Sequence, residues 1–201
     1  MNETRIFADA YQTTFADPKE MLEFLAQRAK ESSWIRKPTR TLRLVPAIQE
    51  VGKMKDKVEK NWEEILEDTE NNTQLALKIK GETYPVRTCA IRTILDRAGI
   101  SGSGLRKLET ANYTKVVNYC LKVAKGDALI KIADGKVSAV HGGDHHDYSI
   151  LDMRAVFEMT MQFLNTNFPG NSYVEGSGMF DHSIVSAMWE LGGNQELLDT
   201  Y

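Results

Sequence analysis

Leu129-Ile130-Lys131-Ile132-Ala133-Asp134-Gly135-Lys136-Val137-Ser138-Ala139-Val140 decides the fold class. Two runs rich in β-branched and apolar residues flank Asp134-Gly135. A two-residue Asp-Gly connection between such runs predicts an antiparallel hairpin, because both turn positions need a positive φ. A second pair lies upstream. Residues 74–79 read as a strand, Lys80-Gly81-Glu82 as a turn, and a short strand follows through Tyr84 and Val86.

Around these pairs the periodicity becomes helical. Thr88 is read as the cap of a helix carrying Ile91, Ile94, Leu95 and Ala98, stopped by Gly99. Ser101-Gly102-Ser103-Gly104 joins it, through a turn holding Leu105 and Leu108, to a helix over residues 112–124 with Val116, Val117, Cys120 and Val123 inward. Asp152 caps a further helix, with Val156, Phe157, Met159, Phe163 and Leu164 on its buried side and Pro169-Gly170 as its stop. Residues 181–191 fit two periods. Val185, Ala187, Trp189 and Leu191 alternate as a strand, while Ile184, Ala187, Met188 and Leu191 suit a helix; the strand is adopted.

The first third is read as mostly helical. Residues 1–16 lack a period and look like an arm. Asp17-Pro18-Lys19-Glu20 is a strong helix start, with Met21, Leu22, Leu25 and Ala29 on one face. Pro38 and Pro46 bracket a short extended piece over residues 41–45, and residues 47–70 read as one charged helix through Val51, Met54, Val58, Trp62, Ile65 and Leu66. The expectation is an α+β fold. Residues 1–73 form a helical N-terminal region, and residues 74–201 an α+β domain whose helices pack on a small, mainly antiparallel sheet built from hairpins.

Composition bounds the function. With 42% hydrophobic and 26% charged residues the chain is globular rather than disordered. No apolar run approaches the roughly 18 residues of a membrane span. The start MNETRIFADAY is no secretory signal, so Cys89 and Cys120 are expected to be reduced thiols in the cytosol. The net charge of −3 hides an asymmetry: residues 81–128 carry 8 basic and 4 acidic groups, and residues 129–201 carry 3 and 10.

The basic segment suggests a nucleic-acid face. Arg92, Arg97, Arg106, Lys107, Lys115, Lys122 and Lys125, together with Arg87, are interleaved with Tyr84, Tyr113 and Tyr119. Cationic grooves hold phosphates and aromatic faces stack unpaired bases. Lys115, Tyr119 and Lys122 fall on one helical stripe. Against this stands a plainer arrangement, in which Tyr119 packs inward and the lysines lie over apolar surface. A second cluster, His141, Asp144 and His145 with the distant His182, offers imidazole and carboxylate donors for a divalent metal. The same residues also describe an ordinary solvated loop after a hairpin. No other cofactor is indicated, and no phosphate loop, dinucleotide fingerprint or paired-cysteine motif is present.

Several short stretches carry a family resemblance. They are Tyr84-Pro85-Val86, Arg97-Ala98-Gly99-Ile100, Leu105-Arg106-Lys107-Leu108, Val117-Asn118-Tyr119-Cys120-Leu121, Gly135-Lys136-Val137-Ser138-Ala139-Val140, Asp147-Tyr148-Ser149-Ile150-Leu151 and Asp181-His182-Ser183. From about Leu75 onward the chain resembles the phage/plasmid-like protein family of phages, prophages and conjugative plasmids, as a short or trimmed member. The resemblance implies a mobile element in a bacterial cytoplasm and supplies no catalytic residues. The leading expectation is thus a non-enzymatic accessory protein that binds nucleic acid through its basic face, or a host protein through the acidic residues beyond Asp127. The alternatives are an inhibitor of a host defence system and a metal-dependent hydrolase using the His/Asp-rich loop.

Overall fold

The computed structural model describes residues 5–54, 61–142 and 150–192. In chain order the elements are β1 (Gln12–Phe15), α1 (Pro18–Lys30), β2 (Ser32–Pro38), β3 (Arg43–Pro46), α2 (Val51–Met54), α3 (Trp62–Asn72), β4 (Leu75–Ile79), β5 (Glu82–Pro85), α4 (Thr88–Ala98) and α5 (Thr110–Val123). There follow β6 (Asp127–Ala133), β7 (Lys136–Gly142), α6 (Met153–Asn167), β8 (Ser172–Tyr173), β9 (Gly178–Asp181), β10 (Val185–Ser186) and β11 (Trp189–Glu190). Short 3₁₀ turns occupy Thr39–Thr41, Ala47–Glu50 and Leu105–Lys107. The fold is α+β, with helices and small antiparallel sheets. Two compact units arise, one from the described residues of Met1–Tyr11 and Ser32–Ser149, the other from those of Gln12–Glu31 and Ile150–Tyr201.

In the first unit one sheet runs β2-β6-β7 and another β3-β4-β5. The Asp-Gly hairpin forms as its sequence requires. Ala133 pairs with Lys136, and Asp134 and Gly135 take φ values of 52° and 72°. Both are positive, the pattern whose twist matches the flanking strands. The β2–β6 pairing aligns Ile35 with Ile130, and β3–β4 aligns Leu44 with Leu77. Strands before residue 73 therefore share sheets with strands after it. Position 73/74 lies between α3 and β4 inside this unit. Leu44, Leu77, Val86, Ile94, Val117, Leu121, Ile130 and Val137 fill the core, each worth about 1.5–3 kcal/mol on full burial.

The helix read over residues 47–70 is interrupted. A 3₁₀ turn and α2 precede residues 55–60, which lie outside the described residues. Asn61 then sits at φ 60°, and α3 begins after it. A left-handed residue cannot continue a right-handed helix, so α3 starts anew there.

Residues 5–11 are not a free arm. Phe7 is buried, and Asp9 enters an interior ion network. Lys136, with no exposed surface, donates to Asp9 Oδ1 at 2.8 Å and Asp68 Oδ2 at 2.5 Å. Arg87, equally buried, donates to Asp134 Oδ2 at 2.8 Å and to the Phe7 carbonyl at 2.8 Å. The second Asp9 oxygen accepts from both the backbone N–H and the hydroxyl of Thr88, each at 2.7 Å. The cap of α4 is thus supplied by Asp9, 79 positions upstream, and not by the Thr88 side chain as expected. Burial raises the Asp9 carboxyl, but Lys136 and Thr88 together outweigh it and hold it below its ordinary value.

The second unit contains sheets β1-β9-β10 and β8-β11 with α1 and α6. Asp17 caps α1 by accepting from the Glu20 N–H at 2.9 Å, and Glu20 reaches back to the Ala16 N–H. Phe24 lies between Phe15 and Phe180, with ring centroids 5.1 and 4.9 Å away. Within the 181–191 segment read as a strand, Val185–Ser186 and Trp189–Glu190 form two separate two-residue strands. The buried side expected of α6 is formed only in part, by the half-buried Val156, Phe157 and Leu164. None of its residues is buried, and Met159 and Phe163 are exposed.

Replacing Lys136 by Ala leaves two carboxylates in the interior without their cation. Urea unfolding is expected to show a loss of about 3–5 kcal/mol. The network also fixes an acid limit. Asp9 titrates lower folded than unfolded, so its contribution is complete above the unfolded value of about 3.9 and fades as pH falls through the folded one. Melting temperatures are expected to drop more steeply below about pH 4 in the native chain than in Asp9→Asn.

Candidate nucleic-acid interface

Helix α5 turns Thr114, Val117 and Leu121 into the core, with Tyr113 and Cys120 partly buried. Its rotation is set by Asn118. That side chain accepts from the Leu44 N–H and donates to the Leu44 carbonyl, both at 2.7 Å, and so occupies the open edge of β3. With Asn118 facing β3, the stripe of Lys115, Tyr119 and Lys122 is directed to solvent. Tyr119 is 74% exposed, so the inward packing weighed from sequence does not occur. Val116 and Val123, read as inward, are exposed as well, Val123 by 78%. Thr114 is buried on the inward face instead, and its hydroxyl donates to the Ala111 carbonyl one turn back.

The end of α5 meets two other segments. Arg97, in the last turn of α4, donates through Nε to Thr39 Oγ1 at 2.9 Å and through Nη2 to the Lys125 carbonyl. The Thr39 N–H donates to the Gly126 carbonyl at 3.0 Å. Arg97, Lys122, Lys125 and Arg40, which lies in the Thr39–Thr41 turn, therefore gather near one end of this unit. None of them, nor Lys115, forms an ion pair among the described residues. The carbonyl end of a helix carries about half a negative charge, which these cations outnumber.

The remaining basic residues are dispersed. Arg92 is exposed on α4, with its Nε 4.0 Å from Asp96, an exposed pair of small energetic weight. Lys107 is exposed in the 3₁₀ turn before α5; Arg106 shares that turn, and its side chain is outside what is described. Arg87 is removed from any binding face by its burial against Asp134.

The metal candidates do not assemble within what is described. Asp144 and His145 lie outside the described residues. His141, half-buried at the end of β7, stacks on Trp34 at 6.4 Å. Burial, and secondly Lys131, hold its imidazole below the usual pKa, so it is neutral at pH 7. His182 belongs to the second unit, edge-on to Phe180 at 5.9 Å. Among the described residues no group of three His, Cys, Asp or Glu could hold a metal ion. Cys89 donates to the Ser138 carbonyl on the β7 edge, and burial pushes its thiol up.

Sequence reading missed Arg40 and Trp34. Both sit in a stretch to which no element was assigned; the β2–β6 pairing, invisible in local periodicity, places Trp34 beside Lys131, and Arg40 follows in the turn after β2. No protein-family model matches the chain, and no match is found among curated proteins or solved structures.

The orientation of α5 is directly testable. Tyr119→Ala is expected to change stability by less than about 0.5 kcal/mol. Leu121→Ala is expected to cost about 2–5 kcal/mol by the same urea titration.

Proposed function

We propose that the first unit binds single-stranded nucleic acid along α5, with Tyr119 stacking on a base and Lys115, Lys122, Lys125 and Arg97 meeting phosphates. The observation that carries this reading is the 74% exposure of Tyr119 between two lysines on one stripe, with no carboxylate partner among the described residues. Residue types alone favour a single strand: an aromatic ring can stack only on a base released from pairing, and such stacking is worth about 1–3 kcal/mol per base. The overall charge of −3 does not oppose the contact. Fields from distant acids are screened within about 8 Å at physiological salt, so the local cations govern.

The resemblance of residues 75–201 to phage/plasmid-like proteins supports a setting on a mobile element in a bacterial cell, where transient single strands are common substrates. Among the described residues no helix is long and apolar enough to cross a membrane. The role assigned is binding, with no chemical step.

Fluorescence anisotropy with single- and double-stranded oligonucleotides between roughly 50 and 200 mM salt tests the reading. The single strand is expected to bind more tightly, and affinity to fall with salt. Tyr119→Ala should weaken binding about 5- to 150-fold, and Lys122→Ala should lower the salt slope by about 0.7. Absence of binding at low salt, or indifference to all of these changes, overturns it.

A further inference from the structure

One cleft of the first unit remains unexplained by the fold. It measures about 250 Å³ and is lined by Thr93, Asp96, Arg97, Val140, His141 and Gly142. Its floor is the outer edge of β7. That edge is closed along most of its length by α4 and the segment before it: the Arg87 N–H donates to the Val137 carbonyl, Cys89 to the Ser138 carbonyl, and Thr93 Oγ1 accepts from the Val140 N–H. After Val140 no hydrogen bond among the described residues continues the cover. Antiparallel ladders turn the N–H and C=O of every second residue to the same side. Since the Val140 N–H points outward, so do the Val140 carbonyl and the Gly142 N–H. Neither has a partner among the described residues.

The cleft therefore offers a backbone acceptor and a backbone donor two residues apart. Beside them stand the Asp96 carboxylate, which can only accept, and the guanidinium of Arg97, whose Nη1 lies 3.5 Å from where a Cβ on Gly142 would sit. The open edge is too short for an added peptide strand, and the volume is below the roughly 300–1,000 Å³ of a drug-sized site. A flat ligand with a donor beside an acceptor fits this edge. A nucleobase is such a ligand. Asp96 adds selectivity, since an exocyclic amino group can donate to it while a second carbonyl would be repelled.

Resting on the proposed binding of a single strand by α5, we infer that this cleft receives one unpaired base of that strand and favours bases with an exocyclic amino group over thymine. The placement is consistent with the chain path. Tyr119 lies about 6 Å along the axis from the last residue of α5, and Arg97, which lines the cleft, is bonded to Lys125 just beyond it. Arg97 thus belongs to both the phosphate track and the cleft. His141 is held in place by its stack on Trp34 and is uncharged, so it adds no second cation there.

The test compares short oligo-dC with oligo-dT, two pyrimidines of similar stacking area, by anisotropy on the whole chain. Oligo-dC is expected to bind about 5-fold or more tightly than oligo-dT, within the range of one good base contact. Asp96→Asn, at an exposed site, should bring the two oligonucleotides to equal affinity. Gly142→Val, which places a side chain into the cleft at ordinary contact distance, should do the same by occlusion. Equal binding of the two oligonucleotides, unaltered by either variant, overturns the inference and leaves the α5 reading standing. No binding of either oligonucleotide removes both. Free CMP that erases the preference at the same concentration as oligo-dC would show a mononucleotide site, and overturns the claim that the base comes from the strand.

Discussion

Arg87 and Lys136 lie in the interior with no exposed surface, and a buried cation is tolerated only beside anions with good hydrogen-bond geometry. That requirement organises the first unit. Lys136 closes the Asp-Gly hairpin, and its ammonium draws Asp9 from the N-terminal segment and Asp68 from α3 to one point. Arg87 begins the turn into α4 and is held by Asp134 of the hairpin and by the carbonyl of Phe7. Asp9, engaged by Lys136 on one oxygen, uses the other to cap α4. Hairpin, helix start and N-terminal segment are consequently one electrostatic unit. The orientation of α4 against β7, and with it the side on which the cleft opens, follows from it.

Much of this architecture was legible locally. The hairpin announced itself through Asp134-Gly135, α1 through Asp17-Pro18, and the end of α4 through Gly99. These are signals in which neighbours along the chain determine backbone angles. What escaped local reading depends on distant partners. Arg87 and Lys136 have the same letters as surface cations, and nothing near them in sequence reveals that Asp134, Asp9 and Asp68 await them inside. The inward face of α5 was misplaced because Asn118, a polar residue, ties the helix to β3. A hydrophobic stripe alone assigned Val116 and Val123 to the core.

The candidate site was legible to a similar degree. Lys115, Tyr119 and Lys122 were recognisable as one stripe from spacing, but whether that stripe faced water depended on Asn118. Arg97 appeared in sequence as one more cation of a basic segment. In the structure it joins the end of α4, the Thr39 turn and the carbonyl of Lys125, and its environment differs from that of Arg92, five residues earlier. The division of the basic residues between interior and surface explains why net charge is a poor guide here. Some of the positive charge in the middle of the chain is consumed by the core, while several of the cations left outside form no ion pair among the described residues.

The two interrupted units have a consequence for synthesis. Asp9 and Lys136 are 127 positions apart, so at ordinary elongation rates the nascent carboxylate waits roughly 6–25 s for its counterion to leave the ribosome. Phe15 waits longer for Gly178, its register partner across β1 and β9. During that interval the first segment lacks Lys136 and β1 lacks β9, and an emerging chain of this connectivity is a natural client for holding chaperones. Its maturation is set by translation of the closing segments as much as by the intrinsic speed of any helix or hairpin.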